Sequence, residues 1–129
     1  LRTNCPNCLE EYHPQEIQLR LAGLNEAAGR ISFKRGIGCS KCRMTGFAGQ
    51  IGIYELIEID DTLNEMIINH SSEIQIRNYA SGRGYRPLFE SGLDMVKSGT
   101  VCLEELLRVI TISEKNPGVR DAERVPISV

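Results

Sequence analysis

The sequence predicts an α+β fold, a small β-containing lobe cross-linked at cysteine and then a bundle of short α-helices. Three features point there. Cys5-Pro6-Asn7-Cys8 and Cys39-Ser40-Lys41-Cys42 are two Cys-x-x-Cys pairs with thirty residues between Cys8 and Cys39. Apolar and polar residues alternate on both sides of the second pair, as in strands. From Asp60 onward the apolar spacing changes to the three-to-four period of helices. Each Cys-x-x-Cys makes a tight turn that offers two sulfurs, and two such turns at this separation read as one four-thiolate zinc site. The predicted division is a tetracysteine zinc-binding lobe over residues 1–59, a helical subdomain over 60–111 and a flexible tail over 112–129.

The elements follow in order. Leu1-Arg2-Thr3-Asn4 enters the first knuckle with no element before it, which suggests a fragment cut from something longer. Pro14 suits a first helical position, where its missing N–H costs nothing, and Ile17, Leu21 and Leu24 share one face of that helix. A loop over 25–29 leads to a strand over 31–35. After the second knuckle, residues 50–59 read as a strand with Ile51, Ile53, Leu56 and Ile57 on its buried side. Gly46, Gly49 and Gly52 permit turns or bulges beside the metal.

Asp60 caps a helix on which Leu63, Met66 and Ile67 share one face. Ser72 and Gln75 form a capping box for the next, which carries Ile76, Tyr79 and Ala80 and ends at Gly82 and Gly84. Phe89, Leu93 and Val96 lie on a third helix that stops at Gly99. Leu103, Leu106, Leu107 and Ile110 mark the last, with Cys102 at its cap. Beyond Thr111 the periodicity fades, although residues 125–129 could add an edge strand.

The chain has 129 residues, enough for one domain with a modest core, and its 41% hydrophobic content includes no Trp. Aromatics at 5% leave few platforms for stacking on nucleobases, and a formal charge of -2 opposes a strong grip on nucleic acid. No apolar run approaches the roughly 18 residues that span a bilayer, and no signal peptide opens the chain. Four of the five cysteines are paired at Cys-x-x-Cys spacing, which suits a reducing cytoplasm better than a disulfide framework.

Thiolate is a soft, charged donor, and Cys5, Cys8, Cys39 and Cys42 would close a tetrahedral zinc shell with no position left for substrate. Such an ion is structural, and its binding, on the order of 10–16 kcal/mol in small sites, is also folding free energy. It would staple the segment between Cys8 and Cys39, which has little core of its own by sequence. Lys41, Arg43 and the backbone N–H groups near Gly38 and Gly46 are the expected donors to the sulfurs. Iron in a rubredoxin-like site is the rival; those knuckles usually continue with glycine, where Leu9 and Arg43 stand here, so zinc is preferred. Four unrelated buried thiols, or two separate redox dithiols, are further readings. His13 is close enough in sequence to replace a cysteine, but the four-cysteine set is complete. Cys102 reads as a buried or capping residue, and His70 as a favourable charge at a helix end. Asp60-Asp61 and Glu104-Glu105 are helix-start charges rather than acid/base catalysts. There is no Gly-x-x-x-x-Gly-Lys-Ser/Thr, so no catalytic or cofactor-binding residue is assigned, and no nucleotide hydrolysis is expected from this chain alone.

One further pattern runs along the chain: Cys5-Pro6-Asn7-Cys8; Gly38-Cys39-Ser40-Lys41-Cys42; Thr45-Gly46-Phe47-Ala48-Gly49-Gln50-Ile51-Gly52-Ile53-Tyr54-Glu55-Leu56; Ile59-Asp60; Ser98-Gly99-Thr100; and Leu103-Glu104-Glu105-Leu106-Leu107-Arg108-Val109. Up to about Ile110 this resembles the C-terminal part of the bacterial ATPases that power type II secretion and type IV pilus assembly. The resemblance implies that Cys5, Cys8, Cys39 and Cys42 are the family's zinc ligands. It implies a homo-hexameric, cytoplasmic motor at the inner face of the inner membrane, peripheral to it and in contact with platform proteins. ATP and Mg²⁺ would be bound upstream of Leu1, where the Walker A, Asp box, Walker B and His box elements would lie. Retraction ATPases of the same superfamily usually lack the four-cysteine insert, so an assembly or export motor is favoured. Gln50 stands where the family commonly has Arg, and Cys102 where a Ser commonly caps the last helix. The competing reading is a free-standing zinc-ribbon module that binds protein or nucleic acid.

Overall fold

The computed structural model describes residues 1–26 and 28–110; the expected tail and the edge strand at 125–129 lie outside them. Two short antiparallel pairs and five helices make up the α+β fold that the sequence predicts. Strand β1 (Arg2–Asn4) pairs with β4 (Phe47–Gln50), and β2 (Leu9–Glu11) pairs with β3 (Lys34–Gly36). Arg2 faces Gln50 and Asn4 faces Phe47, so two steps on β1 match three on β4. Gly49, at a φ of +91°, lies within the longer stretch and accommodates such a bulge.

Both strand expectations after residue 30 need correction. The strand read at 31–35 forms at Lys34–Gly36, because Leu9↔Gly36 pairing and the Ile37 N–H to Cys8 carbonyl bond set the register from the first knuckle. Phe33 instead buries its ring in the core. The strand read at 50–59 lies earlier, at Phe47–Gln50. Leu1 and Ile51 exchange two backbone bonds of 2.9 Å, and past them residues 52–59 have no strand partner among the described residues. Ile53 turns into the core, whereas Tyr54, Leu56 and Ile59 are 78%, 82% and 62% exposed.

Helix α1 (Glu16–Leu21) begins two residues beyond Pro14, and the expected face is displaced. Ile17 and Leu21 are exposed, while Leu19 is half-buried and Ala22 and Leu24 are buried. Gly23, at a φ of +67°, turns the chain after the last helical residue, so Leu24 leaves the row it would occupy in a longer helix.

Helix α2 (Asp61–Ile68) is capped as expected, with the Leu63 N–H donating to Asp60 Oδ1 at 2.9 Å. The other oxygen of Asp60 accepts from Tyr79 and pairs with Arg83, which ties α2 to α3 (Glu73–Ser81). The Ser72–Gln75 capping box is present. Helix α4 (Leu88–Lys97) packs on α5 (Leu103–Val109), and Gly92 makes the approach possible: a Cβ there would come 2.2 Å from Leu106 Cδ1.

Ala22, Leu24 and Phe33 form one core cluster with Val96, Leu103, Leu106 and Ile110. The segment between the knuckles therefore shares its apolar core with the last two helices. Burial at this density supplies roughly 1.5–3 kcal/mol for each large apolar side chain.

Candidate metal centre

Each knuckle lies where one strand hands over to another. Cys5 follows β1, and Pro6–Cys8 forms a single 3-10 turn with Pro6 at its start, which leads into β2. Cys39 and Cys42 occupy the turn between β3 and β4, closed by bonds from the Met44 N–H to the Cys39 carbonyl (2.8 Å) and the Thr45 N–H to the Cys42 carbonyl (3.1 Å). Arg43 and Met44 take left-handed backbone with φ of +54° and +62°, the conformation that a glycine would supply in a knuckle that had one.

The two turns bring the four predicted sulfurs together, all within 4.8 Å of one another. Cys39 Sγ lies 3.7 Å from Cys42 Sγ, and the cross-knuckle pairs Cys5–Cys39 and Cys8–Cys42 are both 3.9 Å. A tetrahedron of sulfurs 2.3 Å from a central ion has an edge of about 3.8 Å. The donor set thus has the size of a filled zinc shell, and its separations are far from the roughly 2.05 Å of a disulfide.

Backbone N–H groups point at the sulfurs as the sequence suggested for Gly38 and Gly46. Gly38 donates to Cys8 Sγ at 3.3 Å, and Cys39 and Gly46 donate to Cys42 Sγ at 3.1 and 3.3 Å. No bond from Lys41 or Arg43 reaches a sulfur among the described residues; both side chains are exposed. Burial pushes the Cys8 thiol up to about 12. At Cys42 burial acts the same way, but the Cys39 and Gly46 N–H donors, joined by hydrogen bonds with the Cys39 and Cys8 sulfurs, together outweigh it and bring the thiol down to about 6. Cys5, Cys8 and Cys42 are buried and Cys39 is half-buried.

The other candidates stay outside this group. His13 is exposed, and His70 sits just past the end of α2. Cys102 is buried at the N-cap of α5 without a side-chain cap bond, as a weak thiol acceptor would be. Tyr12 substitutes for it: its hydroxyl accepts the Leu103 N–H at 3.2 Å and donates to Glu104. Burial, reinforced by Glu104, raises the Tyr12 phenol far above its ordinary value.

Two supports of the centre escaped the sequence reading. Asn4, beside Cys5, is buried and its Nδ2 bridges the carbonyls of Lys34 and Gly99 at 3.0 and 2.9 Å. Glu105 is 2% exposed and accepts from the Arg2 backbone and guanidinium as well as from Arg108. The Arg108 bonds, against the cost of burial and aided by Arg2, hold its carboxyl well below the usual range. Arg108, three residues on, was a visible partner; Arg2, 103 residues away, was not.

Among known proteins, the family model described as type II/IV secretion system protein matches residues 1–108. Type II secretion system protein E of Pseudomonas aeruginosa is 36% identical over 109 residues, which is 84% of this chain and 21% of that protein. Type II secretion system ATPase E of Vibrio cholerae is 36% identical over 110 residues, again 84% and 21%. Type IV pilus assembly ATPase PilB of Thermus thermophilus is 36% identical over 83% of this chain and 12% of its own length. The match thus spans about a fifth or less of each of these relatives. No helix among the described residues is long and apolar enough to cross a membrane.

Proposed function

The chain belongs to the type II/IV secretion system protein family, and from that premise we propose that it is the C-terminal, zinc-binding part of a hexameric cytoplasmic ATPase that drives type II secretion or type IV pilus assembly. The lobe is residues 1–59 and the helical subdomain begins at residue 60. Cys5, Cys8, Cys39 and Cys42 hold one structural Zn²⁺. The observation that carries this is the sulfur set itself, with three separations of 3.7–3.9 Å at the tetrahedral edge length.

When bound, zinc supplies a cross-link and no reaction. The residues do the rest: the N–H groups of Gly38, Cys39 and Gly46 offset the surplus negative charge of the thiolates, and the strand pairs fix the two turns relative to each other. ATP and Mg²⁺ belong to the longer protein, upstream of Leu1. The part described here has a structural and interaction role against neighbouring subunits or inner-membrane platform proteins. The exposure of Tyr54, Leu56 and Ile59 within one short segment supports that role, since closely spaced apolar surface marks interaction sites.

Two measurements test the reading. Elemental analysis of the purified protein should return one zinc per chain; folded protein without metal would overturn the zinc assignment. The coding frame upstream of Leu1 should encode a Gly-x-x-x-x-Gly-Lys-Ser/Thr loop, and a frame without one would overturn the motor assignment.

A further inference from the structure

The four sulfurs are not equivalent. Cys42 Sγ accepts two backbone N–H bonds and Cys8 Sγ one, and Cys5 is 1% exposed with Asn7 Nδ2 at 4.0 Å from its sulfur. Cys39 Sγ accepts no N–H bond among the described residues and belongs to the least buried of the four cysteines. With zinc bound all four sulfurs are thiolates, so hydrogen bonds no longer change how much thiolate is present; they withdraw charge from sulfur and lower its nucleophilicity, and burial bars the oxidant. Both effects spare Cys39. Its shortest sulfur contact, 3.7 Å, is with Cys42 in the same turn.

We infer that Cys39 is an oxidation site: a hydroperoxide attacks the centre there first, Cys42 closes the disulfide, and the knuckles come apart as zinc leaves. This rests on the zinc assignment proposed above. The Cys39 sulfur displaces at a peroxide oxygen; the O–O bond breaks, an S–O bond forms, and the departing hydroxide or alkoxide takes a proton. Cys42 Sγ then attacks that sulfur, an S–S bond forms, and the S–O bond breaks to release hydroxide, which is protonated to water. Two sulfurs lose two electrons and the peroxide gains them.

Geometry selects the second partner. Cys39 and Cys42 are held in one turn by the Cys39 N–H to Cys42 Sγ bond at 3.1 Å and the Met44 N–H to Cys39 carbonyl bond at 2.8 Å, neither of which needs the ion. Cys5, at 3.9 Å from Cys39, lies across the two knuckles. A Cys39–Cys42 disulfide leaves Cys5 and Cys8 as two ligands, too few to retain a structural zinc. A Cys5–Cys39 disulfide would keep the knuckles stapled, so the choice of partner decides whether oxidation opens the lobe.

The test titrates zinc-loaded protein with hydrogen peroxide while a chromogenic chelator reports free zinc, with dimedone trapping of sulfenic acid and peptide mapping on parallel samples. Zinc content is measured first. The expected result is one zinc released per two thiols lost, with the earliest dimedone adduct on Cys39 and the earliest disulfide joining Cys39 to Cys42. Dithiothreitol with added zinc should restore the starting state. First labelling at Cys5, Cys8 or Cys42, a Cys5–Cys39 disulfide, or zinc retained after Cys39 is oxidised overturns the inference. Buried Cys102, 4% exposed, serves as the slow internal reference. Protein that carries no zinc before peroxide is added sinks the zinc assignment and this inference together.

Discussion

Gly36 and Gly46 lie back to back, so close that a Cβ on Gly36 would come 2.0 Å from the Gly46 carbonyl oxygen and one on Gly46 would come 2.3 Å from the oxygen of Gly36. The contact sets the end of β3 against the start of β4. Gly46 also accepts the Cys5 N–H at 2.8 Å and donates to Cys42 Sγ, so one residue touches both knuckles.

Gly36→Ala should therefore destabilise the zinc-loaded protein by about 1–3 kcal/mol, the usual cost of overpacking. Gly46→Ala should cost more, since its φ of +78° adds strain for any residue with a Cβ. Urea midpoints and competition with a zinc chelator measure both. Unchanged midpoints would mean that the two strands can separate without disturbing the centre.

Arg43→Gly should act in the opposite direction. Left-handed backbone costs an L-residue about 1–2 kcal/mol, and the entropy that glycine gains on unfolding returns about 0.5–1. A net gain of about 0.5–1 kcal/mol in denaturant stability is expected. A loss would show that the Arg43 side chain makes a contribution the backbone strain conceals.

Arg2→Ala should weaken the attachment of β1 to α5. The Arg2 and Arg108 side chains are 44% and 59% exposed while Glu105 is buried, so the expected loss, about 1–2 kcal/mol, lies between that of an exposed pair and that of a buried one. The pH dependence has a definite sign. The folded Glu105 carboxyl titrates below its unfolded value of about 4.3, so its stabilisation is complete above that pH and drains as pH falls further. Glu105→Gln should flatten this acid limb in urea titrations run at a series of pH values; an equally steep limb would assign it to other carboxylates such as Asp60, whose value is also depressed.

Chelation should loosen residues 2–11 and 34–50 before the rest. Helices α4 and α5 should keep their hydrogen-exchange protection, because Ala22, Leu24 and Phe33 pack against them through an apolar core that needs no metal. Uniform loss of protection along the chain would show instead that the ion holds the whole fold.

The features legible in the sequence were those whose partners are near in the chain. Two sulfurs at i and i+3 declare a knuckle, and Asp60 to Leu63 or Ser72 to Gln75 declares a helix start, because each bond closes within one turn. Residues 50–59 alternate like a strand, yet a strand also needs a neighbour, and pairing stops at Leu1 opposite Ile51. Periodicity records what a stretch could bury and is silent on whether anything arrives to cover it. Ile17 and Leu21 stay outside the core for a related reason, since the turn at Gly23 ends the helix before its apolar row can continue.

By itself, the sequence determined the two Cys-x-x-Cys turns, the caps of α2 and α3 and the mixed α+β class, since these depend on residue chemistry at short separation. Only the tertiary structure decided that the sulfurs of one knuckle stand 3.9 Å from those of the other, that Tyr12 takes over the cap Cys102 provides poorly, and that Glu105 is buried against Arg2. Each of those joins groups 30 or more residues apart, and such contacts exist only when the core between them has folded.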